Sequence, residues 1–146
     1  MLDMFWGADW AWGIPMLLGA IAFHVSGLVA LEHVLRFFDR RRVGPPSMGY
    51  FLAMMLLASN VVLLMHVIEA AAWALLYIKL GSLDGFAASM LYSLNAITSY
   101  GHDEFVLAGH WRLLGAIESV NGVMIFGLTT AFLFSVMREL RGTRLS

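Results

Sequence analysis

The chain has 146 residues, of which 60% are hydrophobic and 13% charged, against about 25% charged in an average soluble domain. That excludes a soluble globular protein and predicts an integral membrane protein. The net charge of −1 carries no information about nucleic acid, which is not an expected partner; there is no cysteine, and no polar stretch is long enough for a soluble regulatory domain.

Residues 1–13 carry Phe5, Trp6, Trp10 and Trp12 without a basic run, which reads as an interfacial lead-in rather than a signal peptide. Pro15 suits the first turn of a helix, where its missing N–H costs nothing. Residues 14–38 are therefore expected to form a first transmembrane helix, uncharged from Pro15 to Leu31 apart from His24. Arg36, Arg40, Arg41 and Arg42 precede the breaker Gly44-Pro45-Pro46. By the positive-inside rule residues 39–47 form a cytoplasmic loop, with the N-terminus outside.

Met48 to Ile78 is an apolar run of 31 residues, about 46 Å as a helix and longer than the ~30 Å bilayer core. Residues 48–80 thus predict one tilted transmembrane helix. Gly81 to Asp84 turns the chain, with Ser82 or Asp84 as the expected N-cap of the next helix. The stretch Ala87 to Glu104 then departs from its neighbours. Gly85 to Ile97 is 13 residues without a charge, too short to span a bilayer but suited to a re-entrant helix. It runs into Thr98-Ser99-Tyr100-Gly101-His102-Asp103-Glu104, and such a polar segment at membrane depth must line water or be buried in protein. Residues 81–110 read as re-entrant helix, filter and outer loop. Residues 111–140 form the last span, with Glu118 as its only charge between Leu113 and Met137. Arg138, Arg141 and Arg144 lead into a cytoplasmic tail, residues 141–146. Three spans from an outside N-terminus place both basic clusters in the cytoplasm.

Thr98, Gly101 and Glu104, with Trp111-Arg112-Leu113-Leu114-Gly115-Ala116 and Gly127-Leu128-Thr129-Thr130-Ala131, carry a family resemblance. Residues 62–137 resemble the pore module of the potassium-channel superfamily, in particular small bacterial ion-channel proteins. The resemblance implies an all-α fold with an outer helix, a re-entrant pore helix, a filter and an inner helix, assembled as a homotetramer around a central pore in a bacterial inner membrane. The filter pattern it implies differs here. Tyr100 stands where Thr, Val or Leu is usual, His102 at the tyrosine position, and Asp103 in place of the second glycine. Shifting the alignment to pair Tyr100-Gly101 with the Tyr-Gly of the pattern displaces the acid by one.

The expected ion path is Thr98, Ser99, Tyr100, Gly101, His102 and Asp103, holding a monovalent cation. Potassium is expected by resemblance, with sodium or calcium permeation as the alternative. Asp84 and Glu104 add negative charge at the outer mouth, which concentrates cations. Within the spans, His66, Glu69, Glu118 and Asn121 form the expected polar network. It reads as a packing network or, at Glu118, as a brace or gate behind the filter. Gly122 and Gly127 are hinges or points of close helix approach. No cofactor, structural metal or enzymatic activity is expected. The competing classes are a non-conducting membrane subunit and an intramembrane metal enzyme using His24, His66, Glu69 and Glu118. No second histidine sits at ligand spacing from His66 in the sequence.

Overall fold

The computed structural model describes residues 2–101, 106–108 and 111–142. These form four helices and no strand: α1 (Leu2–Arg41), α2 (Met48–Lys79), α3 (Phe86–Ile97) and α4 (Arg112–Gly142). α1, α2 and α4 are long and apolar enough to cross a membrane, and α3 is a shorter apolar helix. Large outward side chains such as Leu18, Leu56, Leu63, Leu64 and Val123 are exposed, a surface suited to lipid rather than water. The chain is an integral membrane protein by these criteria.

α1 starts earlier than the sequence predicts. The tryptophan-rich segment is helical from Leu2, so Pro15 lies inside the helix and not in its first turn. An interior proline costs about 3 kcal/mol, and tertiary contacts around it offset that cost. Asp9 is buried, and its carboxylate accepts the Leu114 backbone N–H at 3.0 Å, satisfying one of the orphan donors of the first turn of α4. Gly13 lies so close to Leu114 and Ile117 that a Cβ there would sit 2.6 Å from Ile117 Cδ1. These contacts hold the start of α1 against α4.

α2 begins at Ser47, whose side chain accepts the Tyr50 N–H at 3.1 Å. Its other end is closed by Ser82, whose hydroxyl donates to the Tyr77 carbonyl at 3.0 Å. Ser82 is thus bound to the helix behind it. The N-cap of α3 is neither Ser82 nor Asp84 but Gly85, with φ 83° and no side-chain capping bond. A positive φ there favours glycine.

α1 and α4 run parallel, and α2 runs antiparallel to both. Leu28, Leu31 and Leu35 of α1 pack with Ala58, Val62 and Met65 of α2 and with Val136 and Leu140 of α4. At the other end α3 supplies the packing: Tyr92 and Ala96 join Trp73, Leu76 and Tyr77 of α2 and Leu114 and Ile117 of α4. Ala70, Ile97 and Ile125 lie between these two regions. The basic ends of α1 and α4 meet, with Arg36 Nε 3.8 Å from Glu139 and Arg141 over the Phe51 ring. At the opposite end Lys79 Nζ lies 4.8 Å from the Trp12 ring centre.

Candidate functional site

The first feature is the end of α3. Ser93 donates its hydroxyl to the Ala70 carbonyl at 2.8 Å, pinning α3 to α2. On the other side, a Cβ at Gly122 would meet the Ile97 carbonyl oxygen and lie 2.7 and 2.8 Å from Ile97 C and Cα. Gly122 is therefore a point of close approach between α4 and the last residue of α3, while Gly127 has nothing within 4 Å of a Cβ.

α3 stops in a hydrogen-bonded turn. The Tyr100 N–H bonds the Asn95 carbonyl at 2.9 Å and the Ser99 N–H bonds Ala96 at 3.0 Å. Ser99 adopts φ 56°. This is the Schellman arrangement with serine where glycine is usual. The Thr98 hydroxyl turns back to the Leu94 carbonyl at 2.6 Å. Thr98, Ser99 and Gly101 are exposed, Tyr100 is 83% exposed, and Gly101 has φ 103°. His102, Asp103 and Glu104 lie outside the described residues. Asp84 is exposed in the α2–α3 turn.

The polar groups inside the spans form two clusters, not the one network that sequence suggests. In the first, Glu118 of α4 is fully buried, receives the Tyr77 hydroxyl of α2 and shares the single Ser93 hydroxyl hydrogen of α3 with the Ala70 carbonyl. Tyr77 also meets Tyr92 edge to face, ring centres 5.1 Å apart. Glu118 thus joins three helices just behind the end of α3. Asn121 is buried nearby on α4, with neither amide atom hydrogen-bonded.

The second cluster closes a ring through α1, α2 and α4. His24 Nδ1 lies 2.9 Å from Glu69 Oε1, and His24 Nε2 lies 3.0 Å from Thr129 Oγ1. That hydroxyl is 3.2 Å from His66 Nε2, and His66 Nδ1 returns to Glu69 Oε2 at 3.3 Å. All four residues are buried. Phe126 stacks on the His66 ring at 4.3 Å and covers the ring from one side. Glu118 belongs to the other cluster, so the ligand set of two histidines and two acids is not assembled.

Sequence spacing finds the His66–Glu69 pair, three residues apart on one helix face. It misses Tyr77, Ser93 and Thr129, because a hydroxyl in an apolar helix carries no periodic signal and its partners are on other helices. Comparison with protein-family models, with curated proteins and with solved structures gives no match.

Proposed function

We propose that the chain is one subunit of a homotetrameric cation channel, with α2 as outer helix, α3 as re-entrant pore helix, α4 as inner helix and Thr98 to Asp103 as the filter. The observation that carries this reading is the exposed polar backbone at the end of α3. Ser93 and Ile97 bind α3 to Ala70 and Gly122. Those positions lie nine residues below Lys79 and ten beyond Arg112, roughly 14–15 Å along each helix and close to half the bilayer core. Thr98 to Gly101 are exposed in the single subunit at that depth; the Thr98 hydroxyl and the Ser99 and Tyr100 N–H groups are bonded within the turn, but lipid offers no donor to the carbonyls of this segment. Other copies of the chain, arranged about a water-filled axis, would satisfy them. Potassium is the ion expected from the resemblance, and Asp103 with Glu104 would ring the outer mouth with carboxylates.

Purified protein in liposomes should form a cross-linkable tetramer and pass potassium in a gradient. Asp103→Asn should weaken block by external divalent ions, since converging carboxylates bind them. A monomer without flux would refute the proposal. The hydrogen-bonded closure of α3 by Ser99 and Tyr100 favours a second reading, a tetrameric subunit that keeps this architecture without conducting. A cross-linked tetramer with no flux would select it.

The shared basic end supports one orientation. Arg40 to Arg42 and Arg138 to Arg144 are cytoplasmic in this proposal, and the Lys79–Arg112 end is outside. The chain has no cysteine of its own, so a single Arg41→Cys variant is a clean probe. It should resist an impermeant thiol reagent in intact cells and react after lysis. Labelling in intact cells would reverse the orientation.

A further inference from the structure

We propose that His24, His66 and Glu69 form a binding site for one divalent transition-metal ion of the zinc class, enclosed between α1, α2 and α4. This site is separate from the end of α3 and does not depend on conduction. Where sequence predicts no structural metal, the folded chain brings together three residues whose ligand atoms all lie within 4.8 Å of one another.

The hydrogen count of the ring points to a missing cation. Its four N···O contacts each need one hydrogen. Two neutral imidazoles supply one each, the Thr129 hydroxyl supplies one, and a carboxylate supplies none. The ring is therefore one positive centre short. The deficit has a location, because His66 Nδ1 and Glu69 Oε2 are the two buried atoms of the ring without a hydrogen-bond partner. They stand 3.3 Å apart, lone pair against lone pair when the His66 hydrogen is on Nε2.

Thr129 sets the tautomers that a metal requires. A hydroxyl oxygen has two acceptor lone pairs, and Thr129 Oγ1 is within hydrogen-bonding distance of Nε2 of both histidines. When it accepts from both Nε2–H groups, its own hydrogen leaves the ring, the deficit becomes two hydrogens, and both rings present their Nδ1 lone pairs to the same carboxylate. This is the outer-shell partner that a metal-bound histidine ordinarily has.

The spacing also suits zinc. With zinc–ligand bonds of about 2.0–2.1 Å in a tetrahedron, neighbouring donor atoms stand roughly 3.3 Å apart. His24 Nδ1 to Glu69 Oε1 is 2.9 Å and His66 Nδ1 to Glu69 Oε2 is 3.3 Å, so each imidazole stands at donor spacing from one oxygen of the carboxylate, and the ion would draw the three groups, now within 4.8 Å, closer together. Two imidazoles and one carboxylate leave one tetrahedral position for water or a small anion. One carboxylate offsets half of the ion's charge, so at this buried depth hydroxide or another anion suits that position better than neutral water.

The test uses the full-length protein in detergent, freed of any polyhistidine tag and titrated with Zn2+ against a chromophoric chelator. One Zn2+ per chain is expected, and Co2+ should give the visible absorption of a tetrahedral site. His24→Ala and His66→Ala should each lower affinity at least about 100-fold, and Thr129→Val about 10- to 100-fold. His33→Ala, His102→Ala and His110→Ala should leave affinity unchanged. X-ray absorption of the zinc-loaded wild type reads the ligands without any variant having to fold, and two imidazole nitrogens are expected. Wild-type protein that takes up no Zn2+ or Co2+ would mean that a proton alone fills the gap, overturning the proposal. A zinc shell of oxygen atoms only, or a site lost with His102→Ala or His110→Ala instead, would overturn it as well.

Discussion

Glu118→Ala should be the most destabilising single substitution in the membrane spans, lowering stability by roughly 3–5 kcal/mol. Two costs add. Truncating a fully buried side chain leaves a cavity that α2, α3 and α4 cannot all close upon. The Tyr77 hydroxyl also loses its acceptor in a place without water. Ser93 suffers less, because its hydrogen still reaches the Ala70 carbonyl. Glu118→Gln should be nearly neutral by comparison. A glutamine offers its carbonyl to Tyr77 and an amide N–H to the Ser93 oxygen, while the Ser93 hydrogen goes to Ala70, so every group keeps a partner with one bond reversed. The thermal midpoint in detergent, followed by tryptophan fluorescence, should fall by roughly 6–20 °C for the alanine variant. It should fall by only a few degrees for the glutamine. Equal losses in the two variants would mean that the charge of Glu118, rather than its hydrogen bonds and volume, holds the three helices.

Gly122→Val should cost about 2–3 kcal/mol, near the top of the usual range for overpacking. The obstructing atoms are the backbone of Ile97, which has no rotamer to yield. Either α4 retreats from the end of α3 or α3 loses its seat on α2. Gly127→Val meets nothing within 4 Å, and Gly127→Ala removes a helix-interior glycine, a gain of up to about 1 kcal/mol. Opposite signs are therefore expected for Gly122→Val and Gly127→Ala, with a drop of roughly 4–12 °C in thermal midpoint for the first. If both were neutral, the close contact between α4 and Ile97 would not exist in the membrane-protein particle. Flux measured on Gly127→Ala would separately test whether flexibility at that glycine matters to the proposed channel.

The helices were largely legible because membrane segments announce themselves through length and missing charge. Met48 to Lys79 and Phe86 to Ile97 fall within a residue of the expected span 48–80 and of the uncharged run Gly85 to Ile97. The start of α1 was not legible, since the tryptophan-rich lead-in and Pro15 both argue against an early helix. What overrides them is a contact with Leu114, 105 residues away. Caps failed for a related reason: Ser82 satisfies a carbonyl of the preceding helix, an option no local pattern reveals. At the sites, sequence supplied the ionisable residues but not their grouping. Helical spacing correctly pairs His66 with Glu69. It cannot report the rotation of α1 that brings in His24, nor the rotation of α4 that sends Glu118 to Tyr77 and Ser93 while sending Thr129 to the histidines.

The parallel seam of α1 and α4 has a consequence in time. Asp9 meets Leu114 and His24 meets Thr129 at the same separation of 105 residues, so one register runs along the whole seam. During synthesis at ~5–20 residues per second, roughly 5–20 s pass between the making of each group and the arrival of its partner. The first helix must therefore enter the bilayer and wait, with a histidine in its middle, while α2 and α3 are made. Glu69 reaches His24 early, but the hydroxyl shared by both imidazoles is the last of the four groups to leave the ribosome. That seam cannot close until α4 has been made.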